Sequence, residues 1–456
     1  MLASLNRHVV QPLASRKAGS PHLRYLATLE RSQFDPPEVV RDRQLDAVRR
    51  VVHHAWDTVP FHRDRWAAAG LHPDAIRTLD DLRRFPVLTK ADIRTHGDRL
   101  RSDAFRGHPL TSKTTSGSTG VPLTVVVDAD AMGWKRAMTI RSDQWSGWRL
   151  GQRVARLWGH GLAERGSWKA RLRRHVVDRE CFLNTLGIDR AGLRAFTDRL
   201  RHRPPGLLFG HAHSLYLLAA FARKYCPGEI RPAGMVSAAM TLHAWQRCVI
   251  EEAFGTRVTN RYGCEETSLI ACECAEHRGL HLNADGVYAE VVPDDRLDAG
   301  PGAGRLLLTD LTNQAMPLIR YQVGDVVVPT DRRCPCGRGL PLIERVVGRE
   351  ADYVLTPTGT LISGISLTDH FATEIRGAAQ VQIVQEKLTF LRLRMVPGDG
   401  FGPDSHCQIE DLVRKTFGPH MGFEVELVDA IPQEASGKYR FCVSPVATAY
   451  LKSLAP

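Results

Sequence analysis

Thr114-Thr115-Ser116-Gly117-Ser118-Thr119-Gly120-Val121-Pro122 is the stretch on which the fold turns, because hydroxyl and glycine residues alternate there with nothing bulky between them. Glycine lets the backbone come close to an anion, successive N–H groups can line one concavity, and Ser and Thr hydroxyls add donors without adding volume. The run reads as a phosphate-gripping loop. Thr124-Val125-Val126-Val127 just beyond it reads as a strand, so the glycines fall in a turn of a β-rich core. Alone, the run also fits an ordinary flexible loop. No Gly-Lys-Ser/Thr follows it, which separates it from the Walker pattern.

Four further short motifs follow in order: Tyr262-Gly263-Cys264-Glu265-Glu266, Tyr321-Gln322-Val323-Gly324-Asp325, Gly348-Arg349-Glu350-Ala351-Asp352 and Ser436-Gly437-Lys438-Tyr439-Arg440. The ordered series resembles the core motifs of the adenylate-forming superfamily of acyl-CoA synthetases, adenylation domains and luciferases. Ser32-Gln33, Val59-Pro60-Phe61-His62-Arg63 and Phe85-Pro86-Val87-Leu88-Thr89-Lys90 resemble the N-terminal region of its phenylacetate-CoA ligase branch, especially capsule-biosynthesis-type members. The resemblance covers nearly the whole chain and leaves the substrate open.

At 456 residues the chain is too long for one compact core, so two unequal domains are expected. From about residue 35 to 110 the pattern is helical, with Leu45, Val48, Val51 and Val52 near a 3.6-residue period and Pro60 and Pro86 as punctuation. Strand-like and helical runs then alternate (153–157, 215–225, 245–254), which implies a layered α/β domain. Residues 285–347 read as short β-rich segments. After the Gly348 motif a smaller α+β unit follows, with period two in Leu391-Arg392-Leu393-Arg394-Met395 and a helix near 409–416. The expected fold class is α/β: a large, multi-layer N-terminal adenylation domain of β-sheets and helices (1–347), a hinge (348–352), and a small mobile α+β C-terminal lid (353–456).

Composition restricts the function classes. A hydrophobic fraction of 43 % fits a globular enzyme. No apolar run approaches the roughly 20 residues of a membrane helix, and the N-terminus lacks a secretory core, so a cytoplasmic protein with no membrane partner is expected. The first acidic residue is Glu30, so the basic leader also admits an organellar transit peptide. With 61 Lys and Arg against 50 Asp and Glu the net charge is +11, which raises nucleic-acid binding as a competitor. The basic residues are spread, however, and Arg171-Leu172-Arg173-Arg174-His175 fits a solvated helix face, so a nucleic-acid partner is disfavoured. The same charge suits the polyanions ATP and coenzyme A. A homodimer is left open.

The resemblance assigns roles residue by residue. Activating a carboxylate with ATP brings two anions together, so positive charge and pre-aimed donors are needed. Thr115, Ser116, Gly117, Ser118, Thr119 and Gly120 would bind the β- and γ-phosphates. Position 123 is Leu where many members carry Lys, which places more weight on Mg²⁺ and arginine. Tyr262 would stack on adenine and Glu266 would hold Mg²⁺, a hard cation that takes carboxylates and phosphate oxygens. Asp325 would accept from both ribose hydroxyls. Arg349 would reach the ribose or α-phosphate, Asp352 would lie at the hinge, and Lys438 would enter the site for adenylation and leave it afterwards. Ser237 and Ala238 would border adenine. His211, His213 and Ala239 are the weaker candidates for the acid pocket, because a histidine in a loop is often structural.

Ten cysteines in a chain expected to be cytoplasmic argue against a disulfide framework. Cys274 and His281, with Cys334-Pro335-Cys336-Gly337 farther on, suit a closed tetrahedral zinc site that staples the β-rich subregion 272–336. Cys272 competes with Cys274 for the first position. Four protein ligands leave no open position, so the zinc would be structural, and Cys264 reads as packing.

The expected activity is conversion of a carboxylic acid, aryl or related, and MgATP to acyl-AMP and pyrophosphate, followed by transfer to coenzyme A. An amine or other nucleophile is the alternative acceptor. A non-catalytic or nucleic-acid-binding protein on the same fold is the second alternative, opposed by the presence of Glu266, Asp325, Arg349 and Lys438.

Overall fold

A computed structural model describes residues 2–115, 123–158, 173–185, 188–240, 242, 244–293, 302–347, 353–363, 367, 370–371, 374–431 and 441–453. The chain packs as two compact units that interleave along the sequence. One comprises Met1–Thr114, Leu123–Gly151 and Thr259–Gly348; the other comprises Thr115–Pro122, Gln152–Val258 and Arg349–Pro456.

In the first unit the helix Pro37–Thr58 turns Val40, Val48, Val51, Val52 and Ala55 inward, the stripe its 3.6-residue spacing requires. It ends at Val59, whose extended backbone is what a following proline imposes, and Pro60 then opens the helix Pro60–Ala68. These helices cover an antiparallel sheet ordered Val287–Pro293, Gly304–Asp310, Tyr321–Thr330, Leu342–Val347, Leu280–Leu282, Ser268–Glu273, Val258–Cys264. Thr111–Thr114 pairs antiparallel with Thr124–Val127, from Thr111 opposite Val127 to Thr114 opposite Thr124. The strand Thr124–Val127 is the one the sequence reading expects, and its pairing with Thr111–Thr114 is added by the structure. Asp128 caps the helix Ala129–Gln144 by accepting from the Ala131 N–H at 2.7 Å, and its other oxygen accepts from the Gln314 N–H at 2.9 Å.

The second unit carries four parallel strands in the order Gly234–Ala238, Leu207–His211, Val154–Trp158, Glu180–Asn184. The helices Arg190–His202 and Ala212–Tyr225 supply the crossovers that parallel strands need. This is the layered α/β arrangement expected from the alternating pattern. Farther along, a small sheet is ordered Gly422–Leu427, Phe390–Pro397, Ala378–Lys387, Cys442–Val443. Its period two is plain: Leu391, Leu393 and Met395 are fully buried, whereas Arg392 and Arg394 face outward and pair with Glu424 at 2.6 Å and Glu426 at 3.2 Å. The helix Pro403–Phe417 covers the apolar side with Ile409, Leu412, Val413 and Phe417.

Candidate active site

The Tyr262 motif lies on a hairpin formed by Val258–Cys264 and Ser268–Glu273. A Cβ at Gly263 would lie 2.6 Å from the Ser268 carbonyl oxygen, so only glycine allows the two chains to approach this closely. Ser268 itself has a left-handed backbone with φ of 71°, a conformation that L side chains rarely adopt. Two lysines outside the motif series fix this turn. The Nζ of buried Lys135 donates to the Thr267 carbonyl at 2.9 Å and to Asp310 Oδ2 at 2.6 Å. Asp310 Oδ1 in turn accepts from the Thr312 N–H at 2.9 Å and from the Thr312 hydroxyl at 2.8 Å. Lys113, on the strand that leads into the hydroxyl/glycine run, donates to Ser268 Oγ at 2.8 Å. Burial first, and then the neighbouring Lys135 charge, lower the Lys113 pKa against the opposing pull of Glu265.

Around this turn the structure gathers four buried polar side chains from two motifs. The Tyr262 hydroxyl donates to Asp325 Oδ2, and the Tyr321 hydroxyl donates to Glu266 Oε1 at 2.7 Å. Asp325 is fully buried and Glu266 nearly so. Tyr321 is placed by the N-terminal Phe85-Pro86-Val87-Leu88 segment: the Leu88 N–H donates to the Arg320 carbonyl at 3.1 Å and the Gln322 N–H to the Leu88 carbonyl at 2.9 Å. Arg320 locks the same junction, bonding Glu290 from Nε at 3.1 Å and the Arg83 carbonyl at 2.8 Å. Sequence reasoning singled out Tyr262, Glu266 and Asp325. It missed Lys113, Lys135 and the Tyr321 hydroxyl; Tyr321 opens a quoted motif, whereas the lysines lie outside the motif series.

In the second unit the acid-pocket candidates lie at the C-terminal ends of the parallel strands, where open α/β sheets place their ligands. His211 ends its strand opposite Ala238 in register, and Gly210 lies opposite Ser237. Buried His211 packs on Trp158 with ring centroids 4.0 Å apart, and Trp158 stacks on Phe209 at 5.3 Å. A Cβ at Gly210 would lie 2.9 Å from that of Leu157, so the strands are close-packed here. Ser237 is fully buried, and Ala239 holds a left-handed backbone with φ of 67°, a strained conformation of the kind that collects at ligand sites. His213 lies in the first turn of the helix Ala212–Tyr225. Thr115 directly follows the strand Thr111–Thr114. Ser116, Gly117, Ser118, Thr119, Gly120, Arg349, Asp352 and Lys438 lie outside the described residues.

The third assembly contains Cys274, His281, Cys334 and Cys336, whose ligand atoms all lie within 4.8 Å of one another. Cys274 Sγ is 3.6 Å from Cys334 Sγ, and Cys336 Sγ is 3.3 Å from His281 Nε2. Tetrahedral coordination with about 2.3 Å bonds to sulfur and about 2.0 Å to nitrogen would separate two sulfurs by roughly 3.7 Å and sulfur from nitrogen by roughly 3.5 Å. His281 Nδ1 lies 3.4 Å from the Leu340 carbonyl, so Nε2 is the atom turned to the sulfurs. Burial pulls the His281 imidazole down to about 4, which keeps it neutral and suited to ligation. Burial pushes the Cys274 thiol up to about 12. Burial also raises Cys336, but the Arg338 N–H and side chain outweigh it and leave that thiol below its ordinary value. Cys272 is fully buried in the strand Ser268–Glu273, which ends just before Cys274, and it is Cys274 that joins the group.

Residues 354–445 match the CapK C-terminal domain. Over 333 residues the chain is 27 % identical to the phenylacetate-coenzyme A ligase of Thermus thermophilus, covering 70 % of this chain and 72 % of that one. It is 22 % identical over 377 residues to protein CapK of Staphylococcus aureus, covering 81 % of each. In structure it superposes on 2-hydroxyisobutyryl-CoA ligase, in complex with 2-HIB-AMP and CoA, with a TM-score of 0.61 at 22 % identity, covering 93 % of this chain and 94 % of that one. These matches fit the adenylate-forming superfamily. The curated relatives it resembles are phenylacetate-coenzyme A ligases and CapK. The gathered Tyr262, Glu266, Tyr321 and Asp325 form a polar centre built from the motifs that carry the resemblance.

Proposed function

We propose that this chain is an ATP-dependent, AMP-forming acid ligase whose acceptor is coenzyme A. The observation that carries the reading is the buried centre in which Tyr262 orients Asp325 and Tyr321 orients Glu266. Burying two carboxylates is costly unless each is hydrogen-bonded, and a chain that does so and also carries a hydroxyl/glycine run has the parts for nucleotide binding.

In the proposed reaction a carboxylate oxygen attacks the α-phosphorus, the bond to the β-phosphate breaks, and pyrophosphate leaves. The thiolate of coenzyme A then attacks the acyl carbon, and AMP departs carrying one of the two carboxylate oxygens. Asp325 holds the ribose, the Tyr262 ring faces adenine, and Ser237 and Ala238 border it. Thr115 with Ser116–Gly120 grips the phosphates, while Arg349 and Lys438 supply positive charge. Glu266 would hold Mg²⁺, which neutralises phosphate charge. The acid, aryl or related, contacts His211, His213 and Ala239. The division at 348–352, with Asp352 as hinge, fits the family match that begins at residue 354.

The Cys274, His281, Cys334 and Cys336 group holds structural zinc in this reading, since its donor set and spacings fit a closed tetrahedral site. Its contribution is a crosslink between the segment carrying Cys274 and His281 and the Cys334-Pro335-Cys336 turn.

The test is acid-dependent pyrophosphate release from MgATP across a panel of carboxylic acids, comparing the native chain with Lys438→Ala. Release that requires one acid class and collapses in the variant is expected. No release with any acid contradicts the reading. Preformed acyl-AMP offered coenzyme A and amines separately then decides the acceptor.

A further inference from the structure

Residues 2–17 form one unbroken run of helical backbone, with segments Leu2–Leu5, Asn6–Val10 and Gln11–Lys17, and its polarity is inverted. Asn6, Gln11 and Ser15 are the buried residues. The Ser15 hydroxyl donates to the Ser20 carbonyl at 2.6 Å, and Gln11 Nε2 donates to Asn6 Oδ1 at 3.4 Å. A Cβ at Gly151 would lie 2.5 Å from the Ala3 carbonyl and 2.9 Å from the Arg7 nitrogen, so the helix backbone rests directly on that glycine. The polar face is therefore seated against the first unit. Leu2, Leu5, Val9 and Leu13 face the other way, 63 %, 52 %, 43 % and 63 % exposed.

Spacings of three, four and four residues put these side chains in one stripe along the helix. Single exposed apolar residues are ordinary, but a row of four on a helix that buries its polar residues instead is a surface built to be covered. Charge selects the cover. The sequence contains no acidic residue before Glu30, and Arg7, Arg16 and Lys17 lie exposed on the same helix. A second copy of the stripe would bring like charges together, whereas an anionic bilayer satisfies both the apolar row and the cations.

We propose that this helix is a peripheral membrane anchor that lies flat on an anionic lipid surface, with Leu2, Leu5, Val9 and Leu13 in the acyl boundary and Arg7, Arg16 and Lys17 at the headgroup phosphates. Among the described residues no helix is long and apolar enough to cross a membrane, and an interfacial helix needs none. The sequence expectation of no membrane partner rested on spanning segments and does not address a helix of this kind. The proposal stands independently of the ligase reading.

The test is co-sedimentation of the full chain with phosphatidylcholine vesicles and with phosphatidylcholine–phosphatidylglycerol vesicles at low and high salt. Binding to the anionic vesicles alone is expected, weakened by salt. Leu5→Gln/Leu13→Gln should weaken it roughly tenfold or more, from the lost apolar transfer alone. Arg16→Glu/Lys17→Glu should abolish the preference for anionic lipid while leaving acid-dependent pyrophosphate release unchanged, and it keeps the proposal testable if the leucine variant misfolds. The proposal fails if the native chain does not bind anionic vesicles, if both variants bind as the native chain does, or if the stripe instead holds a dimer or an acidic protein that Leu5→Gln/Leu13→Gln releases.

Discussion

Lys135 anchors the turn beside Glu266: its partners Thr267 and Asp310 lie 132 and 175 positions away and meet it only in the fold, so no short motif announces it as one announces Glu266 and Asp325. Its ammonium is nearly inaccessible and its partner carboxylate fully so, which makes the pair costly to break from one side. Lys135→Met should destabilise the protein by about 3–5 kcal/mol in chemical denaturation, whereas a loss below about 1 kcal/mol would show that the turn holds without it. Lys113 is the cation nearest in sequence to the hydroxyl/glycine run, in a chain whose position 123 lacks lysine. Lys113→Met should raise KM for MgATP roughly tenfold with an unchanged melting temperature, and Lys113→Arg should restore most of it. A change in melting temperature without a change in KM would assign Lys113 to the turn alone. His62 supplies a pH dependence. Burial pulls its imidazole down to about 4 from 6.5, with Nε2 donating to the Pro317 carbonyl at 3.0 Å. The unfolded chain then binds the proton more readily than the folded one, so stability present above pH 6.5 falls as pH drops toward 4, by up to about 1.4 kcal/mol per pH unit. His62→Gln should flatten that part of the curve, measured by urea midpoints.

Elements with a strong period are read directly from sequence. The Pro37–Thr58 helix and the Leu391 to Met395 alternation both follow from burial of one face. The helix over residues 2–17 escapes such a reading because its apolar stripe points outward, which no periodicity can reveal. Turns held by side chains are equally silent. Buried Gln385 accepts from the Leu355 N–H at 2.9 Å and from the Ser444 hydroxyl at 2.7 Å, and Ser444 Oγ caps the terminal helix through the Ala447 N–H at 2.9 Å. One amide thus ties the strand Tyr353–Leu355 to the helix Pro445–Ser453. Gly377→Ala should destabilise this region by more than about 1 kcal/mol, because the added methyl would meet the Phe401 nitrogen at 2.2 Å at a residue with φ of 72°. The Cys/His group is legible in its spacing, and only the fold chooses Cys274 over Cys272. The purified chain should carry about one zinc per molecule, and Cys334→Ser should lose it together with several degrees of melting temperature; a metal-free chain with native stability would reject the zinc.

On the scale of the whole molecule, the alternation of strands and helices was legible. The interleaving of the compact units was not: Thr259–Gly348 joins the N-terminal residues across more than a hundred positions of intervening chain, Gln152–Val258. Packing of that kind is decided by which apolar faces meet, and a linear reading has no access to it. The chemistry proposed for the molecule makes a sharper demand than turnover alone, because one oxygen of the acid must pass to the nucleotide. The decisive measurement uses an acid that supports pyrophosphate release, labelled with ¹⁸O in both carboxylate oxygens and run to completion with MgATP and coenzyme A. One ¹⁸O atom per AMP is the result this account predicts. Label in inorganic phosphate with ADP as product, or unlabelled AMP, would contradict it.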